Sequence, residues 1–440
     1  MGLSRKLVVD TGPLARVEGE GSLRIEYDGA DVRSVQLKIF EPPRFFEGFL
    51  KGRRVEDIVD IVPRICGICP VAYQVSALNA LESLFGVEVD EQVRRLRRIL
   101  YLGEWIESHS LHVYLLAAPD FLRVPDVAAI AAIDPNMVKD ALALKRLGND
   151  LLTVIGGREI HPVSMRIGGL YRAPKRESLA EMVPEIDRLR ETMERMVRFV
   201  FSFEKPSLKR DPVLVSLRNP NRYAIDGGDV VTSRGLRFPP SSFEDNFVET
   251  EVGYSNALQS HLKDGTPYEV GPQARFNLNF EQLNPVAKGM AKEMGLVPPV
   301  TDSFQTICMR AIEAVHALEE VREEIEAYDR PPRPYAPYQY KAGTCYGVSE
   351  APRGLLYHSY VVNARGQVER AKIVPPTAQN LARIEEDVRL LAPQIIGAEE
   401  KEAKRLSEMA VRNYDPCISC ATHFLNLEIT DFGKITKDRD

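Results

Sequence analysis

The residues best suited to chemistry in this 440-residue chain are four thiols in two Cys-x-x-Cys pairs, Cys66 and Cys69 in "RICGIC" and Cys417 and Cys420 in "DPCISC". Thiolates select soft metals such as zinc, nickel, copper or iron clusters. Structural zinc takes its ligands from neighbouring short knuckles, but these pairs are separated by most of the chain. A thioredoxin-like redox pair follows a strand in a βαβ unit, which "IVDIVPRICGIC" does not supply. The pattern predicts one tetrathiolate metal site assembled from both ends of a large fold. Spacing alone leaves zinc and nickel equally placed. Cys308, in a helical run, and Cys345, in "KAGTCYGVSEAPRG", read as small buried hydrophobes.

The elements that must position these thiols are mostly helical. Apolar residues recur with helical period from about residue 70 to 155, again over about 178–204, near 284–330, and over 377–412. "SLRIEYDGADVRSVQLKIF" (22–40) alternates like a hairpin turning at "DGAD", and "GLLYHSYVVNARGQVERAKIV" reads as two strands turning at "NARG". The fold class expected is α+β, predominantly helical, with a central long-helix core and inserted β sections. Five sections follow along the chain. Residues 1–60 form an N-terminal β-hairpin region carrying Glu18 and Glu47, and 61–205 a helical core with the first thiol pair. Residues 206–285 are a mostly β insertion, 286–423 a helical and β part with the second pair, and 424–440 a C-terminal extension.

Bulk composition narrows the function. The chain is 44% hydrophobic and 27% charged, which excludes disordered, collagen-like and disulfide-dense classes. A net charge of −6 argues against a general nucleic-acid binder, which needs a basic surface. No apolar run has membrane-spanning length, and the start lacks the hydrophobic core of a secretory signal, so a cytoplasmic location with reduced thiols is expected. No G-x-G-x-x-G dinucleotide fingerprint is present in the sequence.

Around the thiols stand "RVEGEG" (16–21), "FFEGFLKGR" (45–53), "SHSLHVYLLAAPDF" (108–121), "GGREIHP" (156–162), "YEVGPQARFN" (268–277), "EAPRG" (350–354) and "DPCISCATH" (415–423), in that order. Together with "RICGIC" they resemble the large, catalytic subunit of [NiFe]-hydrogenases from end to end. The wording is most similar to the cytoplasmic, NAD(P)-linked or sulfhydrogenase branch. The resemblance implies a Ni–Fe(CN)2CO centre, with Cys66 and Cys417 as terminal nickel ligands and Cys69 and Cys420 bridging nickel and iron. It implies reversible heterolytic cleavage of H2 to two protons and two electrons, with the Cys417 thiolate or the Arg353 guanidine as the base.

Further roles come from the same resemblance. Glu18 is the carboxylate that takes a proton from the Cys417 sulfur, and Asp120 and Asp415 form an acidic canopy around Arg353. Pro352, Arg353 and Thr377 hydrogen-bond the cyanides, although Thr377 also reads as a helix N-cap. Glu47 and His423 hold a hard divalent ion, usually magnesium. His109, His112 and His161 read as packing or supporting groups, not ligands. Tyr73 stands where many members carry a histidine, and a phenol cannot shuttle protons as an imidazole does near neutral pH.

Implied partners are an Fe–S small subunit, flavin and NAD(P) diaphorase subunits, and a maturation endopeptidase that cleaves after His423, so that "FLNLEITDFGKITKDRD" is removed. Two other classes stay open: a non-catalytic structural subunit like the related respiratory complex I component, and a zinc-stabilised scaffold. Intact thiol pairs weigh against the first, and metal content separates the second.

Overall fold

The chain was analysed as a computed structural model, which describes residues 6–29 and 31–422. The extension 424–440 and His423 lie outside them. Strands Lys6–Pro13, Gly21–Asp28 and Asp31–Ile39 form an antiparallel sheet. Alternation fixes its inner face: Leu23, Ile25 and Tyr27 are buried while Ser22, Arg24 and Glu26 are less so. Ile25 lies opposite Val9 on one side and Val35 on the other. The anticipated hairpin is present and gains a third strand.

The long-helix core follows the helical period. Helix Glu91–Ser110 packs on Pro135–Gly156 and on Thr306–Glu326, which in turn packs on Val183–Phe201. Val183–Phe201 buries Ile186, Leu189, Met193, Met196, Val197 and Val200, one stripe at three- and four-residue spacing. Thr306–Glu326 is enclosed on all sides from Thr306 to Val321, as a helix at the centre must be. The run beginning at Glu91 does not stay α-helical. Leu111–Ala117 takes wider π turns before a short helix Ala118–Leu122. Pro119 lacks the N–H that would continue the ladder, so the widened turns fall where that bond is lost.

The section 206–285 holds strands Val213–Arg218, Asp229–Thr232, Arg237–Phe238, Phe247–Thr250, Gln259–Leu262 and Tyr268–Glu269. Its apolar side chains share one core with Val348, Leu355, Tyr357 and Val374. Those belong to an antiparallel sheet of Gly343–Ala351, Gly354–Val362 and Val368–Val374. The first of these strands was not anticipated, because its Gly, Ser and Cys residues hide the β pattern. Ala351 pairs with Gly354, leaving Pro352 and Arg353 as the two-residue tip of the hairpin.

Helices Pro376–Ile396 and Glu400–Arg412 pack against each other and onto the N-terminal sheet. Leu23, Ile25, Leu37, Ile384, Val411 and Ile418 share that second core. Burial of this apolar surface, at roughly 25 cal/mol per Å², draws the two chain ends together.

Charge is buried in the centre with its partners. Arg275, fully enclosed, donates Nε and Nη2 to Glu313 (2.7 and 2.8 Å) and Nη1 to Glu350 (3.0 Å). It also donates to the carbonyls of Ala351 and Pro352, both at 2.9 Å, so it grips the hairpin tip that bears Arg353. Removing one member of a buried ion network strands the others and costs about 3–5 kcal/mol. Arg275→Met is expected to lower the urea midpoint by that order. Arg275→Lys is expected to recover only part, because an ammonium cannot make the fork. Equal stability of Arg275→Met and the parent would show that the network does not hold the tip.

Candidate metal centre

The first thiol pair begins where a 3-10 turn, Val62–Ile65, ends. Cys66 is extended (φ −139°), and Cys69 is the N-cap of helix Pro70–Phe85, with Pro70 at the first helical position, where its missing N–H is harmless. The Cys66 sulfur accepts the N–H groups of Ile68 (3.4 Å) and Cys69 (3.3 Å). Glu104 accepts the N–H groups of Val71 (2.6 Å) and Ala72 (3.2 Å), closing the start of the helix. Burial pushes the Glu104 carboxyl well above its usual range, against those two donors.

The second pair starts as Cys417, extended, caps the short helix Ile418–Ala421. Its N–H donates to Thr377 Oγ1 (2.9 Å), and Ile418 N–H donates to the Glu18 carbonyl (2.9 Å). Glu18 and Cys417 form a parallel bridge between segments 399 residues apart. Gly19 is what allows so close an approach: at φ +88° a Cβ there would meet Ile418 Cβ at 2.7 Å and Ser419 N at 2.9 Å. Arg44 fastens both loops at once. Its Nη2 donates to the Ile65 carbonyl (2.8 Å) and to that of Ser419, and its own N–H donates to Thr422 O.

The sulfurs therefore converge. Those of Cys66, Cys69 and Cys420 lie within 4.8 Å of one another, the only such metal-holding group among the described residues. Cys417 Sγ is 3.5 Å from Cys66 Sγ and in disulfide contact with Cys420. All four cysteines are buried. The Cys69 thiol, hydrogen-bonded to Cys66, pulls Cys66 below its usual range and is itself pushed well above it, with burial adding to the rise. Within this pair, the sulfur that loses its proton first is thus Cys66.

Arg353 sits above this cluster. Its Nε donates to the Asp415 carbonyl (2.7 Å) and Nη2 to Oδ1 (3.1 Å), while Nη1, buried, has no hydrogen-bond partner among the described residues. Burial alone would lower the guanidinium, but Asp415, Cys69, Cys66 and Glu18 hold it above its ordinary range. Asp415 is lowered: burial raises it, but Arg353 and Arg310 are among the charges that together outweigh that. Its backbone takes φ +53°, a left-handed geometry that Asp tolerates.

The acidic canopy is smaller than the resemblance implies. Asp415 is the one carboxylate in ion-pair range of Arg353 among the described residues. Asp120 is instead taken by Arg412 (2.7 and 2.8 Å) and Arg16 (2.6 Å). Two arginines donate three hydrogen bonds to its oxygens, so it locks helix Glu400–Arg412 to the N-terminal segment. Thr377 is not an N-cap; Pro375 holds that position, and the Thr377 hydroxyl serves Cys417. Pro352 contributes its carbonyl to Arg275. Glu47, on the short helix Phe46–Leu50, accepts from Ile373 N–H (2.7 Å). The hard-ion partner expected for it, His423, is outside the described residues.

Several functional supports carried no sequence signal: Arg44, Glu104, and Arg310, whose Nη1 is 3.6 Å from Asp415. Arg275 stood inside a recognised motif without an assigned role. Tyr73 is buried, and its hydroxyl has no hydrogen-bond partner among the described residues. Burial, then Cys69 and Cys66, push it well above the usual tyrosine range, so it remains a phenol. Of the histidines, His112 hydrogen-bonds the Arg412 carbonyl (2.9 Å), His109 faces Glu313 (3.1 Å), and His161 hydrogen-bonds the Cys66 backbone.

Four convergent buried cysteine sulfurs, with the Cys417–Cys420 pair reduced, suit a soft metal, and Arg353 Nη1 and the Tyr73 hydroxyl, unpartnered among the described residues, leave donors for a further group. Comparison with known proteins agrees. Residues 44–140 and 240–423 match the family model of nickel-dependent hydrogenases. The chain is 34% identical over 418 residues to sulfhydrogenase 1 subunit alpha of Pyrococcus furiosus, covering 94% of this chain and 97% of that protein. It is 33% identical to sulfhydrogenase 2 subunit alpha of the same organism, covering 96% and 100%. The crystal structure of an NAD+-reducing [NiFe]-hydrogenase in the H2-reduced state superposes with a TM-score of 0.85 at 26% identity, over 96% of this chain and 100% of that one.

Burial drives His112 down to about 3 and His109 to about 4, so both are neutral in the folded state. An unfolded histidine, near 6.5, takes a proton that the folded one refuses. Their contribution is present above pH 6.5 and is lost as pH falls towards the folded values. For His112 alone, linkage gives a loss of about 2 kcal/mol between pH 7 and pH 5. His112→Gln, which can still donate to Arg412, is expected to flatten the fall in urea midpoint over that interval. An unchanged slope would show that His112 does not limit acid stability.

Proposed function

The chain belongs to the nickel-dependent hydrogenase family as a large, catalytic subunit, and on that premise we propose how its residues divide the work on H2. The observation that carries the reading is the meeting of four buried thiols with Arg353 on one side and Glu18 on the other. Cys66 and Cys417 would be terminal nickel ligands, and Cys69 and Cys420 would bridge nickel to an iron carrying two cyanides and one carbon monoxide. When bound, that centre supplies an open, electron-rich position at which H2 is polarised and its electrons are taken up.

The protein residues manage the proton and the charge. Arg353, held above its ordinary range, stays a cation and so orients the substrate, leaving the base to Cys417. The Cys417 sulfur is 3.1 Å from Glu18 Oε2, the distance for handing on a proton. Glu18 Oε2 also accepts Ser419 N–H (3.0 Å), which fixes the carboxylate in that position. Thr377 accepts from Cys417 N–H and keeps its own hydrogen for a cyanide, with Pro352 and Arg353 supplying the other donors and contacts. Asp415 holds Arg353 in place. Asp120 acts at one remove, by anchoring Arg412.

A hard ion, magnesium, is assigned to Glu47 and His423, after which the maturation endopeptidase would cut. Electrons would leave through an Fe–S small subunit to flavin and NAD(P) diaphorase subunits. The similarity to an NAD+-reducing hydrogenase and to sulfhydrogenase alpha subunits supports that route. No helix among the described residues is long and apolar enough to cross a membrane, and a cytoplasmic setting fits the four thiols.

The test is anaerobic co-purification with the partners and an infrared spectrum. Bands from iron-bound CO and CN⁻ are expected, and each of Cys66→Ser, Cys69→Ser, Cys417→Ser and Cys420→Ser should lose them along with nickel. Zinc as the only metal, with a blank spectrum, would remove the reading. Glu18→Gln is expected to keep the bands while H2/D2 exchange falls about a hundredfold, the scale of one lost acid–base group. Exchange at the parent rate would leave Glu18 without its role.

A further inference from the structure

A proton held by Glu18 still has to reach water. Ser419 presents its N–H to Glu18 Oε2 (3.0 Å) and its hydroxyl to Glu41 Oε2 (2.8 Å), so two carboxylates converge on one residue from different parts of the chain. The Gly19 turn fits against Glu41: a Cβ at Gly19 would stand 2.6 Å from Glu41 Oε2. Glu20 N–H also reaches that oxygen (3.3 Å), and Arg44 Nε lies 3.9 Å from Oε1. Ser419 is buried, whereas the Glu41 side chain is 15% exposed. Glu18 and Glu41 are both partly buried and Ser419 is buried between them, so the contacts from Cys417 through Glu18 and Ser419 lead from the thiol cluster to a second, partly exposed carboxylate.

We propose that Glu41 carries the proton outward from Glu18, with the Ser419 hydroxyl between them. The inference rests on the hydrogenase reading. The Glu18 side chain turns from the Ser419 N–H towards its hydroxyl. Ser419 gives its own hydrogen to Glu41 and takes the one from Glu18, and Glu41 releases a proton to water. Only O–H bonds break and form, and no electrons move. A purely structural Glu41 would need only to accept hydrogen bonds, which a glutamine oxygen does equally well. A relay needs a group that can take up a proton and pass it on, which a glutamine amide cannot.

The decisive comparison uses the complex with its partner subunits, purified anaerobically, as wild type, Glu41→Gln and Glu41→Asp, with Ser419→Ala as a second break in the path. Glu41→Gln is expected to keep the CO and CN⁻ infrared bands, to slow H2 oxidation about tenfold and to raise the solvent isotope effect. Small buffer acids such as imidazole should restore the rate, and Glu41→Asp should retain most of it. Unchanged turnover and isotope effect in both Glu41→Gln and Ser419→Ala overturn the proposal, as does a slowed Glu41→Gln that buffer does not rescue. An inactive wild type without the infrared bands removes the hydrogenase reading and this inference with it. An active wild type with an indifferent Glu41→Gln removes the inference alone.

Discussion

The pairing of Arg353 with Asp415 is the contact on which the rest of the site depends. A guanidinium enclosed in protein is costly unless an anion and hydrogen bonds replace its water. Here the anion lies two residues ahead of Cys417, so satisfying the charge also docks the second thiol loop. The pairing continues outward. Arg310 approaches the other oxygen of Asp415, and Arg275 holds the backbone on which Arg353 stands while bonding Glu313 and Glu350. Burial raises Glu350 to about 7 even with Arg275 beside it. The centre of the molecule is thus a chain of paired charges, each placing the next.

That arrangement explains why the thiols come from opposite ends. One loop is pinned by helix Pro70–Phe85 and Glu104, and the other by the Glu18 bridge and the N-terminal sheet. Arg44 ties the two loops together, and Arg353 holds the second loop to the hairpin tip. A knuckle-type site made from one local segment would hold four sulfurs but would not bring a guanidinium and a carboxylate to different sides of them. The long sequence separation, costly in chain entropy, places unlike chemistries around one point.

Much of this was legible. Thiol spacing predicted one shared centre, and helical and alternating periods placed the long helices, the first hairpin and the strands after Arg353. Motif order supplied the roles of Glu18 and Arg353. What could not be read was the choice of partner among many arginines. Asp120 looks like a partner for Arg353, but the three-dimensional path of helix Glu400–Arg412 delivers Arg412 to it first. Arg44 and Glu104 act through backbone groups, and such contacts leave no periodic trace. Strand Gly343–Ala351 was missed because its side chains are small where helix Pro70–Phe85 packs against it: at Gly347 a Cβ would meet the backbone of Ser76 at 2.0 Å. Close packing removed the β-branched residues by which a strand is usually recognised.

Charge balance gives a last reason to read the cluster as a metal centre and not as packed thiols. As neutral sulfurs the four cysteines carry little charge, Arg353 is already matched by Asp415, and Glu18 is placed beside Cys417 by the Ser419 N–H. As thiolates they bring four negative charges into a buried space where Arg353 is already paired with Asp415 and Arg44 donates to carbonyls. Cations must then supply the difference, since unpaired buried charge is unstable by many kcal/mol. Even with divalent metals the balance stays close, so each proton arriving at Cys417 changes it appreciably. The Glu18 carboxylate stands 3.1 Å from that sulfur, which is where the proposed proton transfer would place it.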